Sequence, residues 1–294
     1  MSIYIAWALA RSSHQLYAPT RRFSASFTES WELRSSMTMP KALVIRTAGT
    51  NCDLELCRAF TLAGAGVDLV HIDELLAEPT KIAQFDIIGF PGGFSYGDDI
   101  ASGRIKAMHT RKELMPGLLK AADRGVPMIG ICNGFQVMVQ IGLLPGTPTH
   151  ESCVALTDND HGRFVDDWVE MKLNTNSNCI WTQGLNADED EILFPIAHGE
   201  GRFVTKDQVT LDLIKAGNQI ALSYATDING SVEQIAGICD PTGRIFGLMP
   251  HPERALEWNR HPCWTRLDEK TKSQATPGLS IFTSAVEAVV QQTV

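Results

Sequence analysis

The sequence predicts an α/β fold, a mainly parallel sheet with helices on both faces and antiparallel additions. Two observations carry that prediction. From Lys41 onward, apolar runs of strand length alternate with longer segments of helical period, as in strand–helix–strand crossover units. After Pro145 the rhythm changes to shorter alternating segments, which suit strands added antiparallel to the sheet.

Taken in order, Ala42 to Arg46 reads as a buried strand, Asp53 to Ala63 as a helix and Val67 to Ile72 as the next strand. The strands are short apolar runs bounded by Gly, Pro or charge. Asp86 to Phe90 and Val126 to Ile131 follow the same logic as strands, with an amphipathic helix over Lys112 to Arg124 between them. Beyond Pro145, the segments Cys153 to Leu156, Phe164 to Leu173 and Gln219 to Tyr224 read as strands, and a helix around Ser280 to Val290 closes the chain. Right-handed crossovers would set the ends of the parallel strands along one edge of the sheet. Such folds place their sites at that edge.

Bulk composition narrows the function. At 294 residues with 44% hydrophobic content, the chain can bury a large core, and a soluble globular enzyme is expected. A net charge of -9 argues against nucleic acid as a partner, because holding phosphates needs clustered Lys and Arg. Seven irregularly spaced cysteines do not make a disulfide framework and fit a reducing cytoplasm. Cys52 and Cys57, five apart, have no strong metal-binding spacing, so they read as ordinary buried thiols and no metal site is expected. No run approaches the ~20 apolar residues that span a bilayer, and no phosphate-binding G-x-x-x-x-G-K-[ST] loop occurs.

Residues 1–39 stand apart: Ser-rich, with Arg11, Arg21, Arg22 and Arg34 against Glu29 and Glu32. This composition could mark a transit peptide, or a signal peptide built on Ile3 to Ala10, but the apolar stretch lacks a preceding basic region. Met37 and Met39 immediately precede the first strand. The segment is therefore read as an overlong start or a disordered extension before a domain spanning 40–294. A chain started at Met39 is expected to fold and act as well as the full one; a large drop in melting temperature on truncation would show that the segment is structural.

Three motifs carry chemistry. Gly130, Ile131, Cys132, Asn133, Gly134 lie between a strand and a helix, the G-x-C-x-G form of a nucleophile elbow. The flanking glycines are read as permitting a tight turn, and the following helix points unpaired N–H groups at the sulfur, favouring the thiolate. Met249, Pro250, His251, Pro252, Glu253 follow an apolar strand. Here His251 is the expected general base, and Glu253, in an extended segment, the residue that orients it. The loop Pro91 to Asp98 (PGGFSYGD), with Gly92 and Gly93 at its apex, follows another strand. The N–H groups of Gly93 and Asn133 are the expected oxyanion hole, one such donor being worth ~3 kcal/mol of barrier.

These motifs resemble those of class I glutamine amidotransferases, which have a flavodoxin-like fold. Ala197 to Phe203 (AHGEGRF) and Ala42 to Asp53 (ALVIRTAGTNCD) are similar to one subfamily, the glutaminase subunits of phosphoribosylformylglycinamidine synthases. The likeness runs from about Lys41 to the C-terminus. It implies a Cys132–His251–Glu253 triad that cuts L-glutamine to glutamate and ammonia. The ammonia passes to a separate synthetase subunit that uses ATP and Mg²⁺, alongside a small accessory subunit, and amidates formylglycinamide ribonucleotide in purine synthesis. No cofactor in this chain is implied. Gln136 and His198 are implied in the glutamine pocket or the partner interface. One departure is Asn159, Asp160, His161, where the family commonly has Asn-x-Ser. A thiol peptidase would share the elbow without needing the His198 to Phe203 motif, and a silent scaffold subunit would be expected to lack Cys132, His251 or Glu253.

Overall fold

The computed structural model describes residues 39–186 and 192–292; the expectations for residues 1–38 lie outside it. β1 (Lys41–Arg46) is the hydrophobic axis of the first half, with Ala42, Leu43, Val44 and Ile45 fully buried. A strand covered on both faces has no room for polar alternation. It is followed by α1 (Asp53–Leu62), β2 (Gly66–His71), α2 (Ile72–Ala77) and β3 (Ile87–Phe90). Then come α3 (Arg104–His109), α4 (Met115–Asp123), β4 (Met128–Ile131) and α5 (Asn133–Ile141). The second half contributes β5 (Val154–Thr157), β6 (Val165–Leu173), β7 (Leu193–His198), β8 (Arg202–Thr205) and α6 (Gln208–Ala216). It ends with β9 (Ile220–Tyr224), β10 (Ile235–Cys239), β11 (Ile245–Leu248) and α7 (Pro277–Gln292).

Among the described residues, nine strands form one sheet in the order β2-β1-β3-β4-β11-β10-β9-β6-β7. The neighbours from β2 to β11 run parallel, and those from β11 to β7 antiparallel. β5 and β8 make a separate antiparallel ribbon. The predicted α/β class with antiparallel additions is what the chain adopts.

Register decides where the motifs meet. Phe90 lies opposite Gly130, and Leu248 opposite Ile131. The chain therefore leaves β3, β4 and β11 at one level, on adjacent strands ~4.8 Å apart. The turn at Gly92–Gly93, the elbow at Cys132 and the segment at His251 all begin there.

Differences from the sequence reading have local causes. The helix expected from Lys112 starts at Arg104, passes through a π turn at Thr110–Leu114 and restarts at Met115. Pro116 has no N–H to give to residue 112, and the wider turn spans the gap. Ile72, expected to end a strand, begins α2, because the ring Nδ1 of His71 caps it by accepting from Asp73 N at 3.3 Å. β7, β8, β10 and α6 are absent from the sequence reading; the three strands have only six, four and five residues, too short for periodicity to identify. Among the described residues no helix is long and apolar enough to cross a membrane.

Candidate active site

Cys132 sits between β4 and α5 with φ 51° and ψ −107°, a backbone conformation that a non-glycine residue holds only when its surroundings enforce it. Its N–H donates to Leu248 O of β11 at 2.8 Å, and its carbonyl accepts from Gln136 N at 3.1 Å. The sulfur is 3.8 Å from Ala197 O of β7. The flanking glycines act differently from the sequence reading, since neither is among the residues with positive φ. A Cβ on Gly134 would lie 1.9 Å from Phe90 O, and one on Gly130 2.7 Å from Gly134 O. They let the elbow helix press against β3 and β4. The strain itself is at Cys132.

His251 follows β11 and is anchored by its N–H to Pro195 O at 2.8 Å. Its Nδ1 meets Glu253 Oε1 at 2.7 Å, with both side chains buried. Pro252–Arg254 is a 3₁₀ turn rather than the expected extended segment. Its tighter winding folds the carboxylate back onto the ring. Burial favours the neutral imidazole, but the charge of Glu253 and then the Cys132 sulfur outweigh it and hold the ring well above its ordinary pKa. The buried Nε2 has no hydrogen-bond partner, so thiol and imidazole are neighbours rather than a formed hydrogen bond, as is common before substrate arrives.

The turn after β3 touches both groups through Gly92. A Cβ there would lie 2.8 Å from His251 Cε1 and 3.4 Å from Cys132 Cβ. Gly93 has φ +130°, and the bond that ties this turn to residue 49 uses the N–H of Phe94 at 3.0 Å. The N–H of Gly93 lies outside that link. Asn133 opens α5, and its side chain donates to Asp98 Oδ1 at 3.0 Å and Gln136 Oε1 at 3.2 Å. Burial pushes the Asp98 carboxyl up.

Gln136 donates to Glu200 O at 2.6 Å, and Glu200 Oε2 accepts from Ser102 N at 3.3 Å. Gln136 and Glu200 line an open cavity of about 500 Å³ with Arg104, Met108, Arg111 and Val154. His198 is placed otherwise. It is buried, with Nδ1 3.2 Å from Asn159 Oδ1 and Nε2 3.5 Å from Tyr224 OH. Burial, then the charge of His251, pushes it down to about 4. It ends β7 as a buried support. Asn159 is the centre of that support, donating to His198 O at 2.9 Å and Arg163 O at 2.8 Å.

Cys52 also lies here. Its buried sulfur accepts from Arg254 Nη2 at 2.9 Å and lies with His251 and Glu253 in a group whose donor atoms are within 4.8 Å of one another. Such a group could share a metal ion, but Arg254 aims a positive charge at the same sulfur and Glu253 already accepts from His251. Cys57 is only half-buried, and burial, then Asp53, pushes its thiol up to about 11. The two cysteines therefore differ, where the sequence reading treated them alike.

A sequence profile for the CobB/CobQ-like glutamine amidotransferase domain matches residues 39–289. The chain belongs to that family. This amidotransferase is 42% identical over 258 residues to the phosphoribosylformylglycinamidine synthase subunit PurQ of Dehalococcoides mccartyi, covering 85% of this chain and 98% of the relative. It is 43% identical over 270 residues to the protein of the same description from Methanococcus maripaludis, covering 85% and 97%. A solved structure, PurLQS from Thermotoga maritima, aligns with TM-score 0.65 and 33% identity over 85% of this chain and 99% of that one. The amidotransferase resemblance read from Gly130–Gln136, Pro91–Asp98 and Pro250–Arg254 is thereby borne out. Asp98, Glu200 and Cys52 lie inside the sequence motifs, but their contacts cross from one motif to another, so no single motif points to them.

Proposed function

We propose that this chain is the glutamine-hydrolysing subunit of a phosphoribosylformylglycinamidine synthase. The observation that carries this is the convergence of Cys132, the His251–Glu253 pair and the Gly92–Gly93 turn on one sheet edge, in a chain 42% identical to PurQ subunits over nearly their whole length. Cys132 attacks the side-chain amide carbon of glutamine after its proton has passed to His251. The oxyanion is received by the N–H groups of Gly93 and Asn133. His251 returns the proton to the departing nitrogen, and ammonia leaves behind a glutamyl thioester. Water, deprotonated by His251, then releases glutamate and restores the thiol. Glu253 stabilises the imidazolium throughout.

The ammonia goes to an ATP- and Mg²⁺-dependent synthetase subunit, which converts formylglycinamide ribonucleotide to formylglycinamidine ribonucleotide. A small accessory subunit completes the assembly, this chain carries no cofactor, and the setting is the cytoplasm. Gln136 lies on the side from which glutamine or the partner approaches, and His198 acts from behind the site.

The hydrogen bonds from Asn133 to Asp98 and from Gln136 to Glu200 give a route for coupling. Residues 95–99 and 198–203 both press on the start of α5, so a partner that orders them aligns the oxyanion donors. The isolated chain is therefore expected to release glutamate slowly, at least ~10-fold below its rate with the synthetase subunit, nucleotide and formylglycinamide ribonucleotide. Full turnover alone, unchanged by those additions, would sink the coupling and leave the triad untouched.

A further inference from the structure

The turn between β1 and α1 takes no part in the chemistry above, yet it touches several of its members. Asn51 N occupies the space a Cβ on Gly93 would need, at 2.6 Å, and Cys52 N donates to Gly92 O at 3.4 Å. Cys52 Sγ donates to Asn51 Oδ1 at 3.2 Å and accepts from Arg254 Nη2 at 2.9 Å. It is fully buried beside His251 and Glu253.

The position of Arg254 is the physical problem. A guanidinium has the fork that suits a carboxylate, and Arg254 adjoins Glu253 in sequence and feels its charge. Glu253 Oε2 is buried and has no hydrogen-bond partner. An arginine that reached that oxygen would compete with His251 for the same negative charge. It is turned onto the Cys52 sulfur instead.

We propose that Cys52 is a positioning residue, which by accepting the Arg254 guanidinium keeps Glu253 paired with His251 alone and the imidazole set against Cys132. This rests on the reading of Cys132, His251 and Glu253 as the catalytic groups. The groups around the imidazole are Glu253 from its own turn, with Arg254 beyond it, Cys132 from the elbow, Cys52 from the β1–α1 turn and His198 from β7. Without the sulfur, the guanidinium draws on Glu253, the imidazolium loses support, and it gives up its proton at lower pH.

The test uses the full chain, in complex with its synthetase subunit for kinetics and alone for alkylation. Cys52→Ala is expected to lower kcat for glutamine roughly 10-fold with KM changed less than about 2-fold, the loss of one interaction made in the transition state. Cys52→Ser keeps an acceptor and should recover to within about 3-fold of the parent. Iodoacetamide alkylation of Cys132, followed by mass spectrometry of its peptide, should show the higher of its two pH midpoints displaced downward in Cys52→Ala. The double variant Cys52→Ala/Arg254→Gln should return that midpoint toward the parental value, because the competitor is gone. Parental kcat and midpoints in Cys52→Ala would overturn the proposal. So would a serine variant as impaired as the alanine one, or a double variant whose midpoint stays displaced, since either means lost packing alone. Failure of the underlying reading looks different: Cys132→Ala would itself stay active.

Discussion

Cys132→Ala is expected to lower glutamine hydrolysis by at least ~10⁴-fold in the assembled synthase, because no thioester can form. The fold should survive, since the substitution removes one sulfur from a position held by its backbone bond to Leu248 O at 2.8 Å. His251→Ala should be about as damaging, as the Nε2 that carries the proton is lost. Glu253→Gln should cost less than either, because an amide still accepts from Nδ1 while the charge that supports the imidazolium is gone. Initial rates of glutamate release, with circular dichroism to verify folding, decide the matter. A folded Cys132→Ala chain that hydrolysed glutamine at near the parental rate would remove the nucleophile from the scheme.

Gly134→Ala should have the second-largest effect, on stability as well as activity. Its Cβ would fall 1.9 Å from Phe90 O, with Phe90 C at 2.6 Å. Those are backbone atoms of β3, so no side chain can swing aside. α5 must lift off the sheet and carry Asn133 and the Cys132 turn with it. A cost of about 3 kcal/mol or more is expected, which for a domain of this size lowers the melting temperature by roughly 6–12 °C. Gly199→Ala is the control: its Cβ meets only Phe164 Cδ2 at 3.7 Å, and its melting temperature should stay within a few degrees, about 1 kcal/mol or less. Gly134→Ala melting with the parent would mean that the helix has slack the contacts do not show.

Glycine and proline made much of the site legible in advance. Gly130 and Gly134 bracket Cys132, Pro250 and Pro252 bracket His251, and Gly92–Gly93 ends β3. Such residues mark places where the backbone turns sharply or comes close to something. What pattern did not reveal was the reason for each. The elbow glycines read as a tight turn and are clearance for a helix. Glu253 read as extended and is wound back by a 3₁₀ turn. His198 stood in a recognised motif, but its buried bonds to Asn159 and Tyr224 depend on where β7 and β9 lie.

The sequence by itself determined the alternation of strands and helices and the family, and it singled out Cys132, His251 and Glu253 as the expected catalytic groups. Each motif and each element is written in residues within a few positions of one another, where covalent connection already restricts the geometry. Only the tertiary structure decided that β3, β4 and β11 are neighbours ending at one level, and that Cys52 meets Arg254 across 202 residues. Which strand pairs with which depends on how all the apolar faces bury together. That is a property of the whole core, and no local stretch of sequence contains it.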